Sequence, residues 1–396
     1  MTSYPNSVEL FAGAGGLAMG VERAGFKTTA IIEKDKWACQ TLQQNKSFFT
    51  ATNSNSLEIF HGNIEEFDFS TLTKNVQLVS GGPPCQPFSL GGKHKANSDN
   101  RDLFPQAIRA VRELRPQAFI FENVKGLTRS TFSNYFEYIR LQLTFPDIVQ
   151  KSGEEWFEHL CRLELHQKQS SYDHHSYQVK TQVLNAANYG VPQKRERVFF
   201  VGFRSDLNIS WSFPSQTHSK YRLILDQTKN GGYWDRHKVP KEQRIYTELS
   251  KNNLTNLEKE IDLLPWSTVR DALADLPPPY SRSIKSNVKS NRVTAHFAQP
   301  GAKAYKGHTG SPLDEPAKTL KAGVHGVPGG ENMLRFHDGQ VRYFTVRECA
   351  RLQTFPDDFE FHGSWTETMR QLGNAVPTEL ARVIAHSILK KLHILN

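Results

Sequence analysis

One cysteine stands in a setting that could make it a nucleophile. Cys85 lies in the segment 81–89 (GGPPCQPFS), directly after a strand-like apolar run. Two prolines fix the backbone torsion φ and remove N–H donors, so this turn is expected to hold one shape. In α/β folds, ligands bind at the carboxyl ends of parallel strands. A catalytic or binding role is therefore predicted for Cys85, the alternative being a small buried hydrophobic side chain.

An acid and two arginines could act together with that thiol. Glu122 follows the strand-like run 118–121 (AFIF), and a βαβ crossover would place this strand parallel and close to the first. Arg195 and Arg197 come after a turn, and their period-2 spacing predicts one shared face of a strand. Two guanidinium groups could hold a phosphate or a carbonyl oxygen. A surface or capping glutamate and an edge-strand charge cluster stay open as alternatives.

A glycine-rich turn indicates a nucleotide-like cofactor. The strand-like run 8–11 (VELF) leads into this turn and then into a helix-like stretch that Gly25 would end. The next strand candidate, 28–33, ends in Glu33. Glycines let the backbone approach a ligand closely, and an acid at the end of the second strand can bind ribose hydroxyls. The turn is not a complete G-x-G-x-x-G, so the pattern does not require a pyrophosphate.

Strand-like and helix-like segments alternate up to residue 204 and predict an α/β fold. The sheet is expected to be mostly parallel, Rossmann-like and covered on both faces. Residues 205–340 are rich in Ser, Asn, Pro, Lys and His and show little periodicity. Further predicted elements are strands at 76–79, 177–184 and 198–201, helices at 103–114 and 380–392, a helix opened by a capping box of Thr345 with Glu348, and a turn at 371–377 (QLGNAVP) before the last helix.

Composition narrows the classes of function. The 396 residues favour two domains, and the net charge of +9 favours a polyanionic partner, most commonly nucleic acid. The stretch 282–306 carries basic residues without any Asp or Glu, as expected of a solvated loop or a phosphate-contacting surface. Apolar runs are too short for a membrane span, and no export signal is visible. The four cysteines form no C-x-x-C pair, so reduced thiols in the cytoplasm and no metal site are expected.

In this order, the motifs resemble those of the DNA (cytosine-5)-methyltransferase family of prokaryotic restriction-modification systems. The signatures PPCQ, ENV, QxRxR and GNxV carry the resemblance, which covers 7–130, 177–204 and 341–392. It implies an S-adenosylmethionine-dependent methyltransferase fold. It also implies methyl transfer to carbon 5 of a cytosine within a specific double-stranded DNA sequence, with base flipping and a covalent bond from Cys85 to carbon 6. Protection of host DNA from a cognate restriction endonuclease is the expected purpose.

The resemblance also implies residue roles. Cys85 would be the nucleophile, Glu122 would contact N3 and the amino group of the cytosine, and Arg195 and Arg197 would orient its ring and backbone. The implied cofactor-binding residues are Phe11, Gly13, Ala14, Gly15, Gly16, Glu33, Asn63, Ile64, Pro83, Asn374 and Val376. The predicted DNA-binding residues are Gln86, Ser89, Lys93, Lys95, Arg101, Lys303, Lys306, Lys318, Thr319 and Leu320.

Two positions depart from the family's pattern. Asn63 replaces the usual aspartate near the adenine amino group, although its side-chain carbonyl can still accept that hydrogen bond. Lys34 stands where the family often has an aromatic or small apolar residue, which puts the usual adenine-stacking contact in question.

The predicted domains are a catalytic and cofactor-binding domain, 1–204 plus 365–396, and a target-recognition domain with a hinge, 205–364. The protein is expected to act as a monomer on DNA, without a membrane, in the cytoplasm and associated with the nucleoid. An RNA cytosine-5 methyltransferase with the same core is the nearest alternative. An inactive DNA-binding relative would not need the intact catalytic residues, and a nicotinamide-dependent dehydrogenase would leave the Pro-Pro-Cys motif unexplained.

Overall fold

The computed structural model describes residues 4–50, 57–72, 75–84, 102–169, 176–281, 293–323 and 332–393. The chain forms two compact units. The first comprises Met1–Leu184, Glu196–Phe213 and Ala381–Asn396, and the second comprises Asn185–Arg195 and Pro214–Leu380. Every helix in the described ranges is too short or too polar to cross a membrane. In the same ranges, no three potential His, Cys, Asp or Glu metal ligands lie together.

The first unit alternates strands with helices, as the sequence predicts. Its strands are β1 (Asn6–Leu10), β2 (Lys27–Glu33), β3 (Glu58–His61), β4 (Leu78–Gly81), β5 (Ala118–Val124), β6 (Tyr177–Asn185) and, after β7 (Gln193–Lys194) of the second unit, β8 (Glu196–Arg204). Its helices are α1 (Gly16–Ala24), α2 (Lys36–Gln44), α3 (Phe104–Leu114), α4 (Ser133–Thr144) and α5 (Trp156–Gln169).

Seven of these strands form one sheet in the order β3-β2-β1-β4-β5-β8-β6. The five strands β1 to β5 pair in parallel, which confirms the predicted mostly parallel fold. The alternation does not continue to the end, because β8 is antiparallel to β5. The link from β6 to β8, residues 186–195, carries no crossover helix, and a parallel connection would need a longer chain with one.

Close approach of the backbone fixes the centre of the sheet. Val8 and Leu10 of β1 are fully buried, as expected for a parallel strand covered on both faces. Gly81 pairs with Leu10 at the end of β4, and a Cβ there would lie 2.5 Å from the Leu10 carbonyl oxygen. Only glycine therefore allows β4 to reach β1 at this edge. Gly25, in the left-handed region with φ of 108°, caps α1 as predicted.

The second unit is built from short elements, in keeping with its weak periodicity. After β7 these are β9 (His218–Ser219), α6 (Lys220–Asp226), α7 (Tyr233–Arg236), α8 (Lys251–Lys259), β10 (Leu264–Pro265), α9 (Val269–Leu273), β11 (Ser311–Pro312), β12 (Ala317–Lys318), β13 (Met333–Arg335), β14 (Val341–Tyr343), α10 (Val346–Leu352) and α11 (Trp365–Asn374). The chain continues into α12 (Thr378–His393), which belongs mostly to the first unit.

Two predictions for the C-terminal segments have different outcomes. The capping box of Thr345 and Glu348 is confirmed at the start of α10. The predicted turn at 371–377 is wrong in its first half, because Gln371 to Asn374 form the last turn of α11. Glycine normally destabilises the interior of a helix. Packing nevertheless requires it at Gly373, because a Cβ there would lie 2.3 Å from the backbone nitrogen of Ala322.

Candidate active site

The ends of β4 and β5 meet at one edge of the sheet. Gly81, the last residue of β4, pairs with Phe121 in parallel register, and β5 continues to Val124 beside β8. Asn123 donates a side-chain hydrogen bond of 3.0 Å to the carbonyl oxygen of Pro83. An ideal Cβ at Gly82 would lie 3.3 Å from a carboxylate oxygen of Glu122. The segment that leads to Cys85 therefore starts beside the Glu122 carboxylate.

An ion pair occupies this edge. Arg197 Nε lies 2.8 Å from Glu122 Oε1, and the two side chains are only 14% and 10% exposed. The antiparallel register of β5 and β8 brings them together. A carboxylate can accept hydrogen bonds from ring N–H and amino groups, and a guanidinium can donate to a carbonyl oxygen. The pair therefore offers complementary charges to a small polar heterocycle.

Arg195 contacts different groups from Arg197. It is buried, and its guanidinium donates to the carbonyl oxygens of Leu320 at 3.2 Å and Gly373 at 2.8 Å. Glu122 and Arg197 are thus brought together, whereas Arg195 braces backbone of the second unit. A role for both arginines on one substrate stays a prediction.

The glycine-rich turn has the backbone shape that a close ligand requires. Phe11, Gly13 and Gly15 all adopt left-handed φ values, of 53°, 54° and 83°. This conformation costs an aromatic residue such as Phe11 about 1–2 kcal/mol. A Cβ on Gly15 would lie 2.6 Å from the ring of Phe49, whereas one on Gly13 would meet no atom of the described residues within 4 Å. The surface above Gly13 is therefore open to a ligand.

Glu33 ties this turn to the next element. One carboxylate oxygen accepts a 2.7 Å hydrogen bond from the backbone N–H of Gly13. The other accepts from the N–H groups of Lys34 at 2.9 Å and Asp35 at 2.8 Å. Each carboxylate oxygen offers more than one acceptor site, so capacity remains for ligand hydroxyls. The predicted acid and glycine turn form one structure that fits an adenosine-containing cofactor.

The segment with Asn63 and Ile64 follows β3 and lies close to the same edge. Gly62 N–H donates a 3.0 Å hydrogen bond to the Glu33 carbonyl oxygen. The Asn63 amide nitrogen donates to Glu65 at 3.0 Å, so the amide presents its Oδ1 as an acceptor. Ile64 is buried. The contact of Asn63 Oδ1 with an adenine amino group stays a prediction.

The predicted DNA-binding residues fall into three groups. Lys303 and Lys306 are exposed. Lys318, Thr319 and Leu320 are held inside the second unit: Lys318 Nζ donates to Thr309 at 2.9 Å, Thr319 Oγ1 donates to the Lys194 carbonyl at 2.7 Å, and Leu320 is buried. The third group, Gln86, Ser89, Lys93, Lys95 and Arg101, lies outside the described residues, and so does the predicted nucleophile Cys85.

The remaining predicted cofactor residues lie in several elements. Ala14 and Gly16 are buried in the glycine-rich turn and at the start of α1. Asn374 is exposed at the end of α11, and Val376 is buried in the link to α12.

Sequence reasoning missed two buried amides that hold the segment 319–321. Gln193 Oε1 accepts from Leu320 N–H at 3.0 Å, and its amide donates to the Leu352 carbonyl at 3.2 Å. Asn332 accepts from Lys321 N–H at 2.9 Å and donates to its carbonyl at 2.8 Å. Gln193 belongs to the QxRxR signature, but no role was predicted for it. The residues around Asn332 form no sequence motif that would single it out.

A buried acid beneath the site was also missed. Glu9 of β1 accepts a hydrogen bond from the Ser80 hydroxyl of β4, one residue before Gly81. Burial raises the pKa of Glu9 to about 8, although the Ser80 hydrogen bond opposes the shift. This acid is therefore mostly protonated at pH 7, and its environment gave no signal in the sequence.

Comparisons with known proteins agree with this geometry. The chain matches the family described as C-5 cytosine-specific DNA methylase over residues 6–145 and 158–390. It is 33% identical to the type II methyltransferase M.PspPI of Psychrobacter sp. (strain TA137), covering 98% of this chain and 79% of that protein. It is 30% identical to M.NgoMIV of Neisseria gonorrhoeae, covering 98% and 97%.

A solved structure gives the same fold. A mutant form of DNMT2 from Spodoptera frugiperda matches with a TM-score of 0.57 at 17% identity, over 98% of this chain and 99% of that one. At this identity the likeness speaks for the fold alone. The family match spans most of the chain, and the full-length relatives agree with it. This chain therefore belongs to the C-5 cytosine-specific DNA methylase family, whose members methylate carbon 5 of cytosine in DNA.

Proposed function

We propose that this chain methylates one cytosine within a specific double-stranded DNA sequence, through a transient bond between Cys85 and carbon 6 of the base. The ion pair of Glu122 and Arg197 carries the proposal, because it lies beside the chain that enters the Pro-Pro-Cys turn. Two opposite charges, largely shielded from water, suit a base with an amino group, a ring nitrogen and a carbonyl oxygen.

Family membership implies S-adenosylmethionine as the methyl donor, and the residues near the sheet edge fit it. We assign its sugar to Glu33 and its adenine to Asn63 and Ile64. The molecule would approach the backbone at the open surface above Gly13. Phe11 would bound the same space. When bound, S-adenosylmethionine supplies an electrophilic methyl group.

The chemistry explains why the site needs a thiolate, an acid and a guanidinium. Carbon 5 of cytosine is a weak nucleophile. When the Cys85 sulfur bonds to carbon 6, the ring's electrons move toward N3 and O2, and carbon 5 becomes able to attack the methyl group. Glu122 would hold N3 and the amino group, and Arg197 would stabilise charge at O2. Methyl transfer would release S-adenosylhomocysteine. Loss of the carbon 5 proton to water or another base would then expel the Cys85 thiolate and restore the aromatic ring.

Recognition of DNA would use the second unit. A base stacked in a duplex cannot reach the edge of a sheet, so the cytosine must be flipped out of the helix. Lys303 and Lys306 are exposed and suit phosphate contacts, which position a duplex without reading its sequence. The assignment of catalysis to 1–204 plus 365–396 and of recognition to 205–364 stays part of this proposal.

The cellular role would be protection of DNA from a cognate restriction endonuclease. The relatives M.PspPI and M.NgoMIV are both named type II methyltransferases. The chain would act as a monomer on DNA in the cytoplasm, at the nucleoid.

Covalent trapping tests the mechanism directly. A duplex with 5-fluorocytosine at the target site cannot lose a proton from carbon 5, so wild-type protein should remain attached to it when S-adenosylmethionine is present. Cys85→Ser should form no adduct. The matched control is Cys161→Ser, since Cys161 is exposed on α5 and should not affect trapping. Bisulfite sequencing of DNA from expressing cells identifies the site. An adduct formed by Cys85→Ser would refute the assignment of the nucleophile.

A further inference from the structure

Arg109 of α3 makes an unusual set of contacts with the segment after β3. Its Nη2 donates to the carbonyl oxygen of Ile64 at 2.6 Å, and both terminal nitrogens lie 3.3 Å from the carbonyl oxygen of Phe67. Its guanidinium lies 4.7 Å from the ring centroid of Phe69. Gln106 accepts from its Nε at 2.8 Å, which fixes the plane of the group.

These contacts hold the segment to which the adenine of the cofactor is assigned. The turn begins at Asn63, and the Phe67 N–H closes it by donating to the Ile64 carbonyl at 3.1 Å. Arg109 binds the two carbonyls of this turn from the side of α3. A rotation of the turn would move the Asn63 amide, and the arginine contacts oppose that rotation.

We propose that Arg109 is a positioning residue for adenine recognition: it fixes the turn 63–67 so that Asn63 Oδ1 points to the adenine amino group. The inference rests on the proposed cofactor site. Arg109 does not touch the ligand and acts through the backbone of Ile64 and Phe67.

Only arginine suits this position. A guanidinium presents five N–H donors in one plane, which lets it reach two carbonyls and the Gln106 amide while lying over the Phe69 ring. A lysine would supply one nitrogen and could not hold both carbonyls with the same geometry. Arg109→Lys should therefore preserve the charge and lose the positioning.

The test compares two ligands in the full chain. S-adenosylhomocysteine carries the adenine amino group, whereas S-inosylhomocysteine has an oxygen in its place. Calorimetry on wild type should show a preference of about tenfold for the adenine ligand, the contribution of one good hydrogen bond. In Arg109→Met and Arg109→Lys this ratio should fall toward one, and KM for S-adenosylmethionine should rise while kcat and KM for DNA stay near wild type.

Arg112→Met is the matched control, because Arg112 lies one turn further along α3 and donates, within the described part of the chain, to the Pro146 carbonyl at 3.5 Å. It should keep the ligand ratio. If Arg109→Met does not fold, Arg109→Lys and Gln106→Leu give the ratio instead. An unchanged ratio in the folded variants overturns the inference, even if their melting temperatures fall. If wild type binds neither ligand, the proposed cofactor site itself fails.

Discussion

Glu122 and Arg197 face one another across two antiparallel strands, with 2.8 Å between Oε1 and Nε. The register pairs Arg197 with Val124, so the arginine reaches back diagonally to meet the carboxylate. Both side chains are largely buried, and water screens such a pair less than an exposed one. Removal of either partner leaves a shielded charge without its counter-ion.

The first prediction concerns this pair. Glu122→Gln and Arg197→Ala should each lower the single-turnover rate of methyl transfer by about 10²–10³, the usual effect of losing one transition-state contact. The double variant should be hardly slower than either single one, because the groups act as a unit. Rapid quench with labelled S-adenosylmethionine measures the rates.

The chain offers a control pair next to the same strands. Lys125 and Glu196 form an exposed ion pair at 2.9 Å, at the ends of β5 and β8. Lys125→Ala should leave the rate within about twofold, since exposed pairs contribute little. Additive losses in the double variant of Glu122 and Arg197 would contradict a joint role.

The second prediction separates ligand binding from folding in the glycine-rich turn. Alanine at Gly13 incurs the left-handed backbone cost of about 1–2 kcal/mol but meets no atom of the described residues, so its methyl group is expected to enter the assigned ligand space. Gly13→Ala should therefore weaken S-adenosylhomocysteine binding by at least about tenfold, since steric exclusion costs more than one contact. Calorimetry gives the affinity.

Gly15→Ala should behave in the opposite way. Its methyl group would lie 2.6 Å from the Phe49 ring and 2.8 Å from Leu42, so the packing must shift. The free energy of unfolding should fall by about 2–4 kcal/mol, from overpacking together with backbone strain. Urea denaturation measures it. Equal affinity of Gly13→Ala and wild type for the ligand would mean that the space above Gly13 is not the binding site.

The sequence predicts those features of the fold that depend on the pattern of residues within a short segment. The strand β5 opens with a continuous apolar run, 118–121 (AFIF), as expected of a strand covered on both faces. Gly25 and the Thr345 capping box act within a few residues of sequence, and both were predicted. The direction of β8 was not, because it depends on how the chain returns from β6 and not on the residues of β8.

The site divides in the same way. The glycine turn with Glu33, and the nearness of Glu122 to the Pro-Pro-Cys segment, follow from strand order and register. The partners of Arg195 do not, since the Leu320 and Gly373 carbonyls are remote in sequence and backbone acceptors carry no residue signature. The roles of Arg109 and Glu9 were not predicted for a related reason. Each depends on contacts with residues that are distant in sequence and close only in the folded chain.

The third prediction uses the buried acid Glu9. Its folded pKa of about 8 exceeds the ordinary value of 4.5. The unfolded chain therefore releases this proton first as pH rises, so stability falls from about pH 4.5 to pH 8 and then levels off. Glu9→Gln cannot ionise and should remove this part of the pH dependence. The Glu9→Gln variant should be more stable than wild type by at least ~1 kcal/mol at pH 8, and close to wild type at pH 5.

Urea denaturation at several pH values measures the difference between Glu9→Gln and wild type. Glu58→Gln serves as the control, because Glu58 lies exposed on the edge strand β3 and its replacement should give a nearly flat difference. A difference for Glu9→Gln that did not grow between pH 5 and pH 8 would mean that Glu9 is ionised in the folded protein.

The last prediction concerns Asn332, which is fully buried and bonds both the N–H and the carbonyl of Lys321. Asn332→Ala removes both partners, so the free energy of unfolding should fall by about 1–3 kcal/mol. The segment 319–321 would also lose one of its side-chain braces, while Gln193 and Arg195 still hold Leu320. Because this segment is assigned to DNA contact, KM for DNA should rise and discrimination against altered sites should weaken, with no change in S-adenosylhomocysteine affinity.

Asn252→Ala, on the exposed face of α8, should alter stability by less than about 0.5 kcal/mol. Methylation rates on a panel of single-base variants of the target measure the discrimination. A loss of stability without any change in KM for DNA or in discrimination would give Asn332 a purely structural role. Since the braced segment lies within the second unit, such a result would also count against that unit as the reader of DNA sequence.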